Sequence, residues 1–378
     1  MSEQKNTITL MAGGDIGPVY EPTEQFAELI APVLQQADVR LGQCERTYSD
    51  KGWVPQYNMG PSGQHTRLPT HMANVFKAAN IDIVSLASNH AMDWGPECVM
   101  DTIELFRGMG KVVIGAGANA EEARKPAIVE RNGVKMAILA YCSVLRDGQA
   151  ACEGKAGIAP ARAHTHYAPE EFQPGTPPKI ITIPYEEDVK AMEEDIRKAK
   201  KVADAVIINI HWGLRHVPKT VCTYQQPIAH AAIDAGADLI IGHHAHSIKA
   251  VEVYKGKVCF YSIGNFMTTG GPAHAKSRVF DWNLIWYRQD PECLPPKGKY
   301  HFPPHCRMTM VAKAVVGKKG IERVSFLPAY INTQAQPYAV TPDDPKFAEI
   351  LEWTEWVSDH HPHKFRVEGN EVVVDTAG

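Results

Sequence analysis

The chain has 378 residues, 44% hydrophobic and 22% charged, the balance of a soluble globular enzyme with length for one large core or two ordinary ones. Its net charge is −4 and no basic block occurs, which argues against nucleic acid or an anionic membrane as a main partner. The opening "MSEQKNTITLMAGGD" lacks the charged-then-apolar pattern of a signal segment, and no run is long enough to span a bilayer. The eight cysteines are dispersed without a C-x-x-C pair, so a cytoplasmic protein with reduced thiols is expected.

Apolar runs alternate with helical patterns, the mark of an α/β chain. "TITLMA" (7–12) reads as a strand followed by "GGD" with Asp15. "ADVRLGQ" (37–43) reads as a strand followed by Cys44 and Glu45, and "IDIVSLA" (81–87) as one followed by Ser88, Asn89 and His90. Residues 147–178 are rich in Gly, Pro, Ala and His and read as an excursion, a lid or a surface insertion. "EEDVKAMEEDIRKAKKVA" (186–203) puts Val189, Met192, Ile196, Ala199 and Val202 on one helical face. "AVIINI" (205–210) reads as a strand before His211, and "YQQPIAHAAIDAG" as a helix closed by Gly236. "DLIIG" then leads into His243, His244 and His246. Residues 269–304, rich in Pro, Trp and Tyr, form a second excursion. "MTMVAKAVV" and "IERVSFLP" read as a hairpin around "GKKG". One domain over 5–335 is expected, and 336–378 is an extension either packed on it or partly disordered.

Potential ligands thus stand just beyond five strand-like runs: Asp15; Glu45; Asn89 with His90; His211; and His244 with His246. In α/β sheets, ligands bind outside the carboxyl ends of strands. Two carboxylates, one amide and three imidazoles suit a pair of divalent ions such as Mn, Fe or Zn, with a carboxylate bridging. Taken singly, each piece has a plainer reading: "GGD" as a turn, "SNH" as a cap, His-Trp as a core pair, "GHHAH" as composition. The shared register at strand ends is what favours metal. "HTH" (164–166), "HFPPHC" (301–306) and "HHPH" (360–363) follow no strand-like run and read as loop or surface. Trp282, Trp286 and Trp353 are candidates for core, or for an interface that would make the protein a homo-oligomer.

With these residues in hand, the chain resembles the bacterial capsule-synthesis CapA family, also called the poly-γ-glutamate capsule family (PGA_cap), which looks like a branch of the calcineurin-like metallophosphoesterases. The motifs that carry the resemblance are "GGD", "LGQCE", "SLASNHAMDWG", "GAGANAEEARKP", "INIHWG", "AIDAGADLIIGHHAHSIKAVEVYKGK" and "YSIGNF". They run from about Ile8 to Phe266, with a weaker likeness to about Pro328. The resemblance implies a metallophosphoesterase-like four-layer α/β/β/α sandwich with two mixed sheets and a metal site at the strand ends. It implies that Asp15 holds the first metal, that Glu45 bridges both, and that Asn89, His211 and His244 hold the second, with His246 returning to the first. It implies that His90 stays off the metals near the leaving group, with Asp93 behind it.

The departures are informative. Metallophosphoesterases carry a histidine two residues after the first aspartate; here that position is Gly17, a loss the capsule family shares, so the first metal is expected to be weakly held, or completed by water or by a lid histidine such as His65 or His71. Gln43-Cys44-Glu45 stands for Asn-Leu-Glu, and Arg215 with His216 stands for Glu-Tyr, a trade of acid for base that favours an anionic substrate. The membrane anchor of capsule proteins has no counterpart, so a place at the envelope is not expected. The expected activity is metal-dependent hydrolysis of a small anionic substrate, with a metal-bridged hydroxide attacking a phosphoester and His90 as general acid. Arg215, His216 and Arg46 would hold the substrate's negative group, with a surface salt bridge the plainer reading of Arg215. Amide or γ-glutamyl chemistry is the alternative from the capsule branch, and a non-catalytic assembly or binding protein is another.

Overall fold

The computed structural model describes residues 6–54, 67–270, 291–293 and 297–377. Alternation along its strands sorts side chains onto two faces. In the strand Val134–Cys142, Met136, Ile138, Ala140 and Cys142 join one buried cluster, and Ala137, Leu139 and Tyr141 join another. Ala205–His211 and Leu239–His243 divide likewise: Ile207, Leu239 and Ile241 go to the first, Val206, Ile208 and Ile240 to the second. Helices Glu186–Lys200 and Gln225–Ala235 cover the second cluster with Met192, Ile196, Ile228 and Ala232. A larger sheet fills the first cluster through Leu10, Ala12 and Leu41, and helix Gly95–Gly108 adds Val99, Ile103 and Phe106. The layers therefore run helix, sheet, sheet, helix, the α/β/β/α sandwich expected.

The smaller sheet orders its strands Val251–Tyr254, Lys257–Phe260, Leu239–His243, Ala205–His211, Val134–Cys142 and Ala127–Arg131, and the four in the middle are parallel. The larger sheet places Ile8–Gly17, Val39–Cys44, Ile83–Ser85 and Val112–Ile114 side by side in parallel, with Met308–Gly317 and Gly320–Ile331 antiparallel beyond them. The carboxyl ends of both parallel sets carry the candidate ligands.

Several expectations shift in detail. The first strand does not stop at Ala12 but runs to Gly17, because Asn265–Thr268 takes over its pairing where Met308–Gly317 leaves off. The helix expected to 203 ends at Lys200, and Val202 is 58% exposed rather than on the apolar face. His164 and His166 lie not in a loop but on the hairpin Ala163–Ala168 and Lys179–Pro184, where they face solvent. Of the second excursion, residues 271–290 and 294–296, with Trp282 and Trp286, lie outside the described residues. The C-terminal stretch supplies helix Pro345–Ser358 and a hairpin, Phe365–Glu368 with Glu371–Val374, that extends the larger sheet beside Gly320–Ile331. Among the described residues no helix is long and apolar enough to cross a membrane.

Candidate metal centre

The larger sheet delivers Asp15, Glu45 and Asn89; the smaller delivers His211, His244 and His246. At "GGD" the pairing register slips between Gly13 and Asp15, a bulge that turns the Asp15 side chain inward. Gly14 permits this approach, since a Cβ there would lie 2.0 Å from the Gly264 carbonyl oxygen. Glu45 follows its strand directly, and its N–H donates to the Ile16 carbonyl at 2.9 Å. His244 and His246 hold φ of 81° and 55°, a left-handed backbone that costs about 1–3 kcal/mol for each such residue.

Two groups of donor atoms result, and they share one residue. Glu45, His211 and His244 form one; Asp15, Glu45 and His246 form the other. His211 Nε2 lies 3.1 Å from His244 Nδ1, 3.9 Å from Glu45 Oε1 and 2.7 Å from Asn89 Oδ1. His246 lies 3.4 Å from Asp15 Oδ2 and 3.3 Å from Glu45 Oε1. All six residues are buried except Asn89, which is partly so.

Burial, then the Glu45 charge, pushes the Asp15 carboxyl well above the usual carboxylate range; the nearby His244 N–H and Arg46 only partly oppose this. Burial, then the other histidines, pushes His211 and His244 well below the ordinary imidazole value, and burial lowers His246 against the pull of Glu45. The imidazoles are thus neutral, the form that ligates metal. Both carboxylate oxygens of Asp15 and both of Glu45 are buried without a hydrogen-bond donor. Four orphaned acceptors in a dry site are costly, and divalent cations would satisfy them. The donor set therefore fits the metals its chemistry suggests.

A second row of hydrogen bonds holds this set in place. Asn265 Oδ1 accepts from His246 Nδ1 at 2.8 Å, while Asn265 Nδ2 donates to the Tyr300 hydroxyl at 2.8 Å. Below the site, His243 Nε2 donates to Asn209 Oδ1 at 2.7 Å, Asn209 Nδ2 to Gln43 Oε1 at 2.8 Å, and Gln43 Nε2 to the Ala87 carbonyl at 2.9 Å. The sequence reading missed Asn265, Asn209 and Gln43 as supports. Asn265 stands in the quoted "YSIGNF", but nothing local announces that it reaches His246.

A cavity of about 310 Å³ opens beside the centre, lined by Asn89, His90, Asp93, Arg146, Arg215 and His244 among others. His90 Nδ1 donates to Asp93 Oδ2 at 2.7 Å. Arg46 and His216 are not among its lining residues. Arg46 is buried and donates to the carbonyls of Glu45 and Thr269, and its chain packs over Gly17, where a Cβ would lie 2.6 Å from Arg46 Cγ. His216 packs its ring 5.2 Å from that of His246 and 5.8 Å from Phe302. His71 is exposed and pairs with Glu21 at 3.1 Å, so it does not complete the Asp15 position, and His65 lies outside the described residues. His305 donates to the His216 carbonyl at 3.1 Å and stacks on Trp353 at 5.4 Å, so one histidine of "HFPPHC" braces the site from outside and Trp353 is half-buried against it.

The family model described as "Bacterial capsule synthesis protein PGA_cap" matches residues 3–269. The chain is similar to "PGA biosynthesis protein CapA" of Bacillus subtilis (strain 168), 31% identical over 281 residues, covering 74% of this chain and 65% of that protein. It is also similar to "Capsule biosynthesis protein CapA" of Bacillus anthracis, 28% identical over 67% of this chain and 56% of that one. The chain thus spans less than two thirds of the length of these relatives. Among solved structures it is similar to the calcineurin-like phosphoesterase YfkN from Bacillus subtilis, at 12% identity and a TM-score of 0.37, over 93% of this chain and 98% of that one. With a family match that spans well over half its residues, the chain belongs to the bacterial capsule synthesis protein PGA_cap family.

Proposed function

We propose that this protein is a metal-dependent hydrolase that holds two divalent ions, Mn, Fe or Zn, and cleaves a phosphoester in a small anionic substrate. The observation that carries the reading is the pair of adjoining donor groups sharing Glu45, whose buried acid oxygens lack donors, at the edge of a cavity that also holds His90. Asp15, Glu45 and His246 would hold one ion; Glu45, Asn89, His211 and His244 the other. Bound ions would supply Lewis acidity and ease the deprotonation of water. The rest falls to the chain itself. Asp93 accepts from His90 Nδ1, which fixes the ring and leaves Nε2 free to pass a proton to the leaving group. Arg215, on the cavity wall, faces the substrate's negative charge.

Amide or γ-glutamyl cleavage is a second reading, favoured by the printed name "PGA biosynthesis protein" of the Bacillus relative. The test is metal analysis of protein purified without chelator, paired with turnover of an aryl phosphate in added Mn. Two ions per chain with turnover are expected. His90→Ala should lower kcat by about 10²–10⁴-fold with metal content unchanged. Two ions without turnover on any phosphoester would move the reading to amide bonds. Protein that takes up no ion from Mn or Zn would overturn it in favour of a binding or assembly role.

A further inference from the structure

Helix Pro345–Ser358 lies beyond the family match, which ends at residue 269, yet it reaches the loop that follows His211. That loop holds a costly shape. Gly213, His216 and Lys219 have φ of 86°, 65° and 61°. A left-handed backbone costs about 1–3 kcal/mol at each residue other than glycine, so it persists only where the surroundings over-determine it. Arg215, on the wall of the cavity beside the candidate metal centre, sits within this stretch, and the ring of His216 packs against that of His246.

The anchors come from distant parts of the chain. The His216 N–H donates to the Ala245 carbonyl at 2.8 Å, and the His216 carbonyl accepts from His305 Nε2 at 3.1 Å. Both backbone groups of the residue after Arg215 are therefore held. His305 stacks on Trp353, with ring centroids 5.4 Å apart and planes 19° from parallel. Trp353 Nε1 donates to the Ile248 carbonyl at 3.3 Å, two residues past His246. At the far end of the loop, Lys219 Nζ pairs at 2.5 Å with Asp359, the residue that closes the helix, and lies 5.5 Å from the Trp356 ring. The C-terminal helix thus reaches both turns that carry site residues, the one with Arg215 and the one with His244 and His246.

We infer that His305 and Trp353 are positioning residues for Arg215, so that the C-terminal helix belongs to the substrate-binding apparatus and sets how tightly the cavity takes an anion. The inference rests on the hydrolase reading and adds to it the segment that shapes the cavity wall. A guanidinium on backbone already fixed loses less freedom when it binds an oxyanion. Releasing the His216 carbonyl lets the loop relax and takes Arg215 off the wall.

The test is calorimetric titration of the full-length, Mn-loaded protein with inorganic phosphate, with Mn content and Tm recorded for every variant. His305→Leu and Trp353→Leu should each weaken phosphate binding by about tenfold, the former with its Mn content unchanged. His305→Gln, which can still donate to the His216 carbonyl, should stay close to the wild type. Arg215→Ala should weaken phosphate as well, and adding His305→Leu to it should cost nothing further, because the two act on one contact. Phe347→Ala, which removes a side chain of the same helix from the first buried cluster, should lower Tm and leave phosphate affinity as it was. Wild-type affinity in His305→Leu, an additional loss on top of Arg215→Ala, or a loss in Phe347→Ala equal to that in Trp353→Leu overturns the positioning role and leaves the hydrolase reading standing. If the Mn-loaded wild type binds no phosphate, the hydrolase reading falls and the positioning role falls with it.

Discussion

Gly17 and Arg46 illustrate how one position can set the balance of a metal site. The Asp15 group has two ligands of its own, Asp15 and His246, while the other group adds Asn89 to His211 and His244. The space beside Gly17 is filled by the Arg46 chain, whose guanidinium is tied to two backbone carbonyls. Gly17→His should therefore cost about 1–3 kcal/mol through overpacking, visible as a lower Tm. In an Arg46→Ala background the clash is relieved, and if the centre holds two ions as proposed, the double variant should retain the one at the Asp15 group through dialysis better than Arg46→Ala alone. If Gly17→His leaves Tm untouched, Arg46 is not what excludes a side chain there.

At the scale of an element, the loop after His211 is held by distant parts of the chain. Lys249 is buried against it, and burial pushes its ammonium down to about 8. Between pH 8 and the ordinary lysine value the unfolded chain holds a proton that the folded chain has lost, so stability rises with pH across that window. Below pH 8 the cost of the buried charge is present in full. Relative to Lys249→Met, the wild type should gain up to ~3 kcal/mol from pH 8 to pH 10.5, measured by urea unfolding. Parallel slopes would place Lys249 in water. The same non-local ties limited what could be read from sequence. Asp15, Glu45, Asn89, His211, His244 and His246 could be nominated from sequence because each stands at or just past the end of a strand-like run, and the structure brings these six together. Arg146 was not, because its place on the cavity wall depends on the pairing of Cys142 with His211, strands 63 or more positions apart. The first strand's true end at Gly17 likewise depends on Asn265–Thr268.

For the whole molecule, the layers were legible from the alternation of strand and helix patterns, while the C-terminal hairpin was not, its short strands being placed by the edge of Gly320–Ile331. The candidate centre spans the seam between the sheets, three ligands from each. A bound ion therefore couples the two, and at a hundredfold excess over Kd it would add about 2.7 kcal/mol to stability. Loading with Mn should slow amide hydrogen exchange in Val39–Cys44 and in Leu239–His243 together, and chelation should release both. Slowing confined to one sheet would argue against ligands drawn from both.

The left-handed turns at His244 and His246 bear on the order of assembly. Outside the fold nothing holds those residues in that conformation, and the carboxylates grouped with them, Glu45 for His244 and Asp15 with Glu45 for His246, lie more than 190 positions away in the chain. A newly made chain would thus offer scattered histidines rather than a cage. On this reading an ion would bind only after the chain has folded, so the rate of refolding from urea should be the same with and without added Mn.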